Sequence, residues 1–391
     1  MTTDLMEGEK QMSGGRPTTV RRTMPGYLPG MVLAALVVGI VLGRSLWIEH
    51  TASADPIDVL ADAEAALVEA LRTDSTPRFD RAYEGYVSIL GEEPQHAEAL
   101  RGAAIADIGL HRFEAGRARA QLATDLRPDD HIALAALVDA NIEMGDYEEA
   151  ERQLDKLLAL RPGLEAYSRL SYLRQLTGDP AGAVEAMFLA RSAAAGLAYE
   201  TSRVESFLGE VFLAQGDLAS AAEHFQQAHA GDPTKPGGRT GQGQVLIRQG
   251  DVEAARSVAD AVLRDHPGDT GALMLLAEAS RRLGDDRAAD EAANAVTSAA
   301  LGEHAAGFGV DPSVPLFASS WGSADDGLRL AEILYEERPA NAKVAHAYGW
   351  ALYQVGRQDE AIGPMQEAIR FGVSDPLLAE HAAIVLGPAA P

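Results

Sequence analysis

Apolar residues along most of this chain recur at the three- and four-residue spacing of a helix face, and the clearest instance runs from Met144 to Pro162. There a stripe through Ala150, Leu154 and Leu157 follows a Gly145-Asp146 turn and stops at Pro162, so the start, buried face and end of one helix are all written in the sequence. Ile57 to Leu71, Arg78 to Leu90 and Pro376 to Leu386 carry the same amphipathic signal. One segment breaks the pattern. Leu28 to Gly43 is nearly continuous Leu, Val, Ala, Met and Gly, and no charged residue lies between Thr23 and Gly43.

The helical signal has a fixed period. Pro94, Pro128 and Pro162 lie 34 residues apart, as do Pro233 and Pro267, which predicts a stack of helical hairpins. With the proline counted as the thirty-second position of a unit, the fifteenth is Gly145, Gly216, Gly250, Gly284 and Gly356. The twentieth is small throughout: Ala82, Gly116, Ala150, Ala221, Ala255, Ala289, Gly327 and Ala361. So is the eighth in most units, at Ala104, Gly209, Gly243, Ala277 and Gly349. Two helices approach closely only where both lack bulk, so these two sites predict the crossing point of each hairpin.

This pattern resembles the tetratricopeptide repeat family. Leu208-Gly209, Ala221, Phe225, Ala228 and Pro233 match it almost in full, and Tyr348-Gly349, Ala361 and Ala368 match it with Val373 in place of the proline. The resemblance covers residues 57–387 and implies an all-α fold, a TPR-type helical-hairpin solenoid wound as a right-handed superhelix. The array is expected to run over 57–301 as about seven units, the first of them divergent. The unit from Glu165 to Thr201 is looser, with a longer connection expected around Gly196. Residues 302–323 interrupt the pattern, because Pro312 and Pro315 fall where a first helix would run. Phe308, Phe317 and Trp321 are expected to plug that gap. Residues 324–391 then supply a degenerate half-repeat, a last unit and a capping helix.

Ahead of the array, residues 1–22 read as a disordered cytoplasmic tail, 23–48 as a single transmembrane helix and 49–56 as a linker. Lys10, Arg16, Arg21 and Arg22 precede the apolar segment, whereas Arg44 is the only basic residue between it and Arg72. That asymmetry keeps the amino terminus in the cytoplasm and places the repeats outside. The alternative is secretion after cleavage near Ala54, since Ala52-Ser53-Ala54 has the form of a signal-peptide site. Ala35, Gly39 and Gly43 share one helix face and would allow a homodimer through the membrane helix.

Composition narrows the chemistry. The 391 residues carry a formal charge of −25, which repels phosphate backbones and excludes nucleic acid as a partner class. Without cysteine there is no disulfide framework, thiolate metal site or cysteine nucleophile. No phosphate-binding loop, His-Glu-x-x-His or Gly-x-Ser-x-Gly motif occurs, so no catalytic, cofactor or metal residue is assigned. Gly237 to Gly243 reads as an inter-repeat turn leading to a small eighth position. His224 and His229, five apart, read as solvated side chains.

What remains is surface. In the family resembled, the second, fifth, ninth and twelfth positions of first helices face a bound peptide on the concave side. On matching units these are Arg101, Asp139, Arg169, Arg203, Glu210, Gln244, Glu278, His346, Trp350 and Tyr353. They are mixed in sign and lack the Lys and Asn set by which some members grip a terminal carboxylate. His346, Trp350 and Tyr353 share one helix face, expected either to bind a partner or, for Trp350, to pack on the closing helix from Pro376 to Leu386. The chain therefore reads as a non-enzymatic, membrane-tethered scaffold or assembly factor of a bacterial-type cell envelope, binding a protein or peptide on its concave surface. The alternative is an enzyme or signalling protein with a site near the 302–323 interruption.

Overall fold

A computed structural model describes residues 56–73, 76–194, 198–373 and 375–387. The tail at 1–22, the transmembrane expectation at 23–48 with Ala35, Gly39 and Gly43, almost all of the 49–56 linker and the connection at Gly196 lie outside them. None of the described helices is long and apolar enough to cross a membrane.

The described residues form nineteen α-helices and no strand. The first ten are α1 (Pro56–Thr73), α2 (Thr76–Glu92), α3 (Ala97–Gly109), α4 (Phe113–Leu126), α5 (His131–Met144), α6 (Tyr147–Leu160), α7 (Leu164–Leu176), α8 (Pro180–Ala193), α9 (Ala198–Ala214) and α10 (Leu218–Gly231). There follow α11 (Gly237–Gln249), α12 (Val252–Asp265), α13 (Thr270–Leu283), α14 (Asp286–Ala305), α15 (Ser313–Trp321), α16 (Ala324–Glu337), α17 (Ala342–Gln354), α18 (Gln358–Ile369) and α19 (Pro376–Leu386). Consecutive helices pair as hairpins, and α19 closes the array.

Two residues make most of the turns. In the α5–α6 turn Gly145 adopts φ 79°, and its N–H and that of Asp146 donate back to the carbonyls of Ile142 and Asn141, capping the last open carbonyls of α5. The Asp146 carboxylate then accepts from the Glu149 N–H and starts α6. Gly216-Asp217, Gly250-Asp251 and Gly284-Asp285 repeat the device. The α3–α4 turn has neither residue: His111 sits at φ 57° and Arg112 makes no side-chain cap. Outside support replaces the local chemistry, since the Gly309 N–H donates to Leu110 O (3.0 Å) and Arg112 Nε donates to Gly307 O (3.2 Å).

The 302–323 interruption is a shortened hairpin arm. Helix α14 continues through Gly302 to Ala305, and α15 keeps nine residues. Pro315 is its third residue, where the missing N–H belongs to the first turn and has no intrahelical partner to lose. Phe317 and Trp321 are buried in the cluster formed with α13, α14 and α16, while Phe308 packs on the core of α1 to α5. Gly237 to Gly243 lies within the first turns of α11, correcting its reading as a turn. Gly241 and Gly209 leave room for the Phe225 ring, which added Cβ atoms would meet at 2.3 and 2.7 Å.

First helices touch their counterparts in neighbouring hairpins closely at every step except α7 to α9, whereas second helices do so only at α14 and α16. The first helices are thus the tighter, inner layer. Nearly every side chain of α5 is accordingly buried, while α6 buries one face.

The array also touches itself. Arg338 donates to Glu143 at 2.6 Å, Asn341 Nδ2 to Glu143 O at 2.9 Å, and the Ala342 N–H to Tyr147 Oη at 3.0 Å. The Tyr147 and Phe371 rings meet edge-on at 4.8 Å. Three of the bonds, including Arg112 to Gly307, join residues 195 apart, so the solenoid completes one turn within that length and its turns are in contact. Glycine permits the approach: a Cβ on Gly145 would lie 2.3 Å from Ala340 C, and one on Gly178 2.5 Å from Gly372 O.

Candidate protein-interaction face

The inner layer is where the ten residues expected to face a partner lie, and it divides them. Asp139, Arg169, Glu278, His346 and Trp350 are buried. Arg169 donates to the Asp139 carboxylate at 2.5 Å and to the carbonyls of Ala135 and Glu165. The ninth position of one unit and the fifth of the next are adjacent on this layer, so two residues expected to contact a ligand contact each other. Burial pushes the Asp139 carboxyl up to about 7 against the pull of Arg169. Glu278, fully buried beside Arg282 at 2.5 Å, is likewise pushed up to about 7.

His346 and Trp350 are taken up by the closing helix. The His346 and His381 ring nitrogens are 2.9 Å apart, and Trp350 stacks flat on His381 with ring centres at 3.4 Å. Trp350 Nε1 donates to Ser320 Oγ at 2.8 Å, and burial holds His346 down to about 4. Gly349 does mark the hairpin crossing, where a Cβ would stand 3.1 Å from Met365 N. The opposite face is covered by α19, the second of the two readings for Trp350.

Five residues keep accessible surface: Arg101, Arg203, Glu210, Gln244 and Tyr353 are half-buried. Arg101 pairs with Asp130 at 3.0 Å and Arg203 with Glu200 at 3.3 Å, while Tyr353 stacks on Trp350. Glu210 is pushed up to about 8 by desolvation, with Lys343 as its opposing charge.

Several residues of the interior were not singled out from sequence. Lys343 holds its ammonium 4.6 Å from the Tyr172 ring centre with no hydrogen-bond acceptor, and desolvation lowers its pKa. Its second position in the last unit was the available signal. Glu143, Tyr172 and Arg338 carried none. The solvated reading of His224 is corrected: it is buried, 2.6 Å from the Glu205 carboxylate and stacked on Phe212. Among the described residues no group of three or more His, Cys, Asp or Glu is placed to hold a metal ion.

Residues 132–163, 177–236 and 212–279 match family models for the tetratricopeptide repeat. The chain carries tetratricopeptide repeats. Over 220 residues it is 24% identical to cellulose synthase operon protein C of Pseudomonas fluorescens (strain SBW25), covering 54% of this chain and 16% of that protein. The chain thus spans about a sixth of that relative's length. Among solved structures, the human IFIT1 dimer with m7Gppp-AAAA shares the fold at a TM-score of 0.54 and 14% identity, over 81% of this chain and 72% of that one. Pseudomonas aeruginosa pilF aligns at 0.42 and 18% identity, over 54% and 95%.

Proposed function

We propose that this repeat protein is an interaction scaffold that binds a protein or peptide partner along its inner layer, held at a membrane by residues 23–48 with the repeats on the extracytoplasmic side. The observation that carries the binding role is the row of half-buried polar side chains, Arg101, Arg203, Glu210 and Gln244, on the inner layer, which is closely packed at α3 and more open at α9 and α11. Charged and amide groups left partly open on this layer can hydrogen-bond to a peptide. Support for the tether is the uncharged run from Thr23 to Gly43 and the basic residues before it.

A photo-crosslinking residue at Arg203 or Gln244, compared with one at exposed Glu151 on α6, tests the reading in the intact chain in its native membranes. The two inner positions are expected to capture the same protein and Glu151 not to. Equal capture from all three, or none from the inner pair, overturns it. Loss of the chain from the membrane fraction without loss of residues 1–54 overturns the tether.

A further inference from the structure

We propose that α15 to α19 form an intramolecular closure in which Arg338 and Lys343 fill two cation sites on the edge of α3 to α7, and that a partner's basic side chains take those sites when the closure opens. The proposal rests on the scaffold reading above and names the chemistry of its partner.

The first site lies between an acid and a ring. The Arg338 guanidinium is 2.6 Å from the Glu143 carboxylate through Nη1 and 4.5 Å from the centre of the Phe113 ring, and its Nη2 donates to Val310 O at 3.3 Å. In the second, the Lys343 ammonium lies over Tyr172; of the carboxylates acting on it Glu143 belongs to this edge and Glu210 to α9, while Asp311 and Asp375 are on the closing segment. Aromatic faces and carboxylates are the groups that hold cations, and along this edge the Phe113 and Tyr172 rings stand on either side of the one carboxylate of Glu143. A chain of net charge −25 has turned two of its 33 basic side chains into that edge.

The fit is incomplete, which marks these cations as replaceable. Lys343 Nζ and Arg338 Nε are buried without acceptors, so the closed form leaves donors unsatisfied that water satisfies once the closure opens. The closure is also thin. It consists of loop and side-chain contacts at 307–310, 338–343 and 371–372, with no helix of α15 to α19 packed broadly on α3 to α8. Small rotations shared among hairpins would separate the turns with each hairpin still folded, giving up the packing of Phe308 on the α1–α5 core and of Ala342 and Phe371 on the α5–α7 cluster.

The probe is the chain's own hexapeptide Arg-Pro-Ala-Asn-Ala-Lys, capped at both ends and fluorescently labelled, titrated into the full chain and followed by anisotropy. A second peptide with Glu at both ends is the charge control. Replacing both cations, Arg338→Ala with Lys343→Ala, is expected to tighten hexapeptide binding at least tenfold over the wild type, and adding Glu143→Gln is expected to remove the gain. Gly178→Ala, whose Cβ would stand 2.5 Å from Gly372 O, wedges the edge apart outside the hexapeptide's own footprint with both cations in place, and keeps the test decisive should the double variant fail to fold. Small-angle scattering should show it expanded, with binding tightened in the same direction. An expanded Gly178→Ala chain that gains no affinity, or a gain shared by the acidic peptide, overturns the proposal. If inner-layer cross-links persist while the gain is absent, the closure falls and the scaffold stands; if they vanish, the scaffold falls whatever the hexapeptide does.

Discussion

Replacing Gly145 by Ala separates backbone strain from contact between turns, because the same chain supplies its own controls. Gly145, Gly216, Gly250 and Gly284 share a left-handed conformation, with φ between 79° and 87°. A Cβ in that region costs about 1–2 kcal/mol. At Gly216, Gly250 and Gly284 an added Cβ meets nothing within 4 Å, so Ala there should cost only the strain. At Gly145 it would stand 2.3 Å from Ala340 C, 2.4 Å from Ala340 O and 2.5 Å from Asn341 N. The Ala340–Asn341 backbone must therefore retreat by about 1 Å to reach van der Waals separation. That retreat pulls on the Asn341 bond to Glu143 O, the Ala342 bond to Tyr147 and the Arg338–Glu143 pair. Separating a buried ion pair costs about 3–5 kcal/mol when its charges stay dry, and less as water reaches them. An excess of about 3 kcal/mol over the three controls is expected, read as a difference in urea midpoints by circular dichroism at unchanged slope. A Gly145→Ala midpoint indistinguishable from the controls would falsify the contact between turns.

Other substitutions test separate parts of the interior. Trp350→Ala should cost about 3–5 kcal/mol, since the ring is buried against His381 and bonded to Ser320; a loss under about 1 kcal/mol would show that α19 does not hold it. Glu210 binds its proton more tightly folded than unfolded, so it draws stability down as pH rises from the ordinary carboxylate range to about 8. Glu210→Gln should therefore flatten the urea midpoint across that window relative to wild type, and parallel pH profiles would contradict the desolvated environment. Removing the cap in Asp251→Ala should cost about 1 kcal/mol, and its absence in a melting experiment would count against the turn chemistry of α11–α12.

The parts of the fold that were legible in the sequence are the local ones. A Gly-Asp turn writes its own φ and its own cap within five residues, so the hairpins and the all-α solenoid follow from spacing. His111 departs from that rule because its turn is held by Gly307 and Gly309, nearly two hundred residues away. The contact between turns depends on superhelical pitch, a sum of small rotations that no single position encodes, and Arg338 and Glu143 accordingly carried no signal. For the candidate face, the positions inherited from the resemblance identified the inner layer but not its state. Asp139 and Arg169 were both marked as facing a ligand, and they face each other. Trp350 and His346 were placed correctly on one helix face, yet α19 covers it. Spacing left Trp350 two places, open to a partner or packed on the closing helix Pro376 to Leu386, and the structure has the second.

A distance across the edge tests the account most directly. The chain has no cysteine, so two introduced thiols, at Glu148 on α6 and Ala340 before α17, can be spin-labelled alone and their separation measured by double electron–electron resonance. The closed array predicts one short, narrow distance in the free chain, replaced by a longer and broader one when Gly145→Ala is added. A long, broad distribution in the unaltered chain, unchanged by Gly145→Ala, would contradict it.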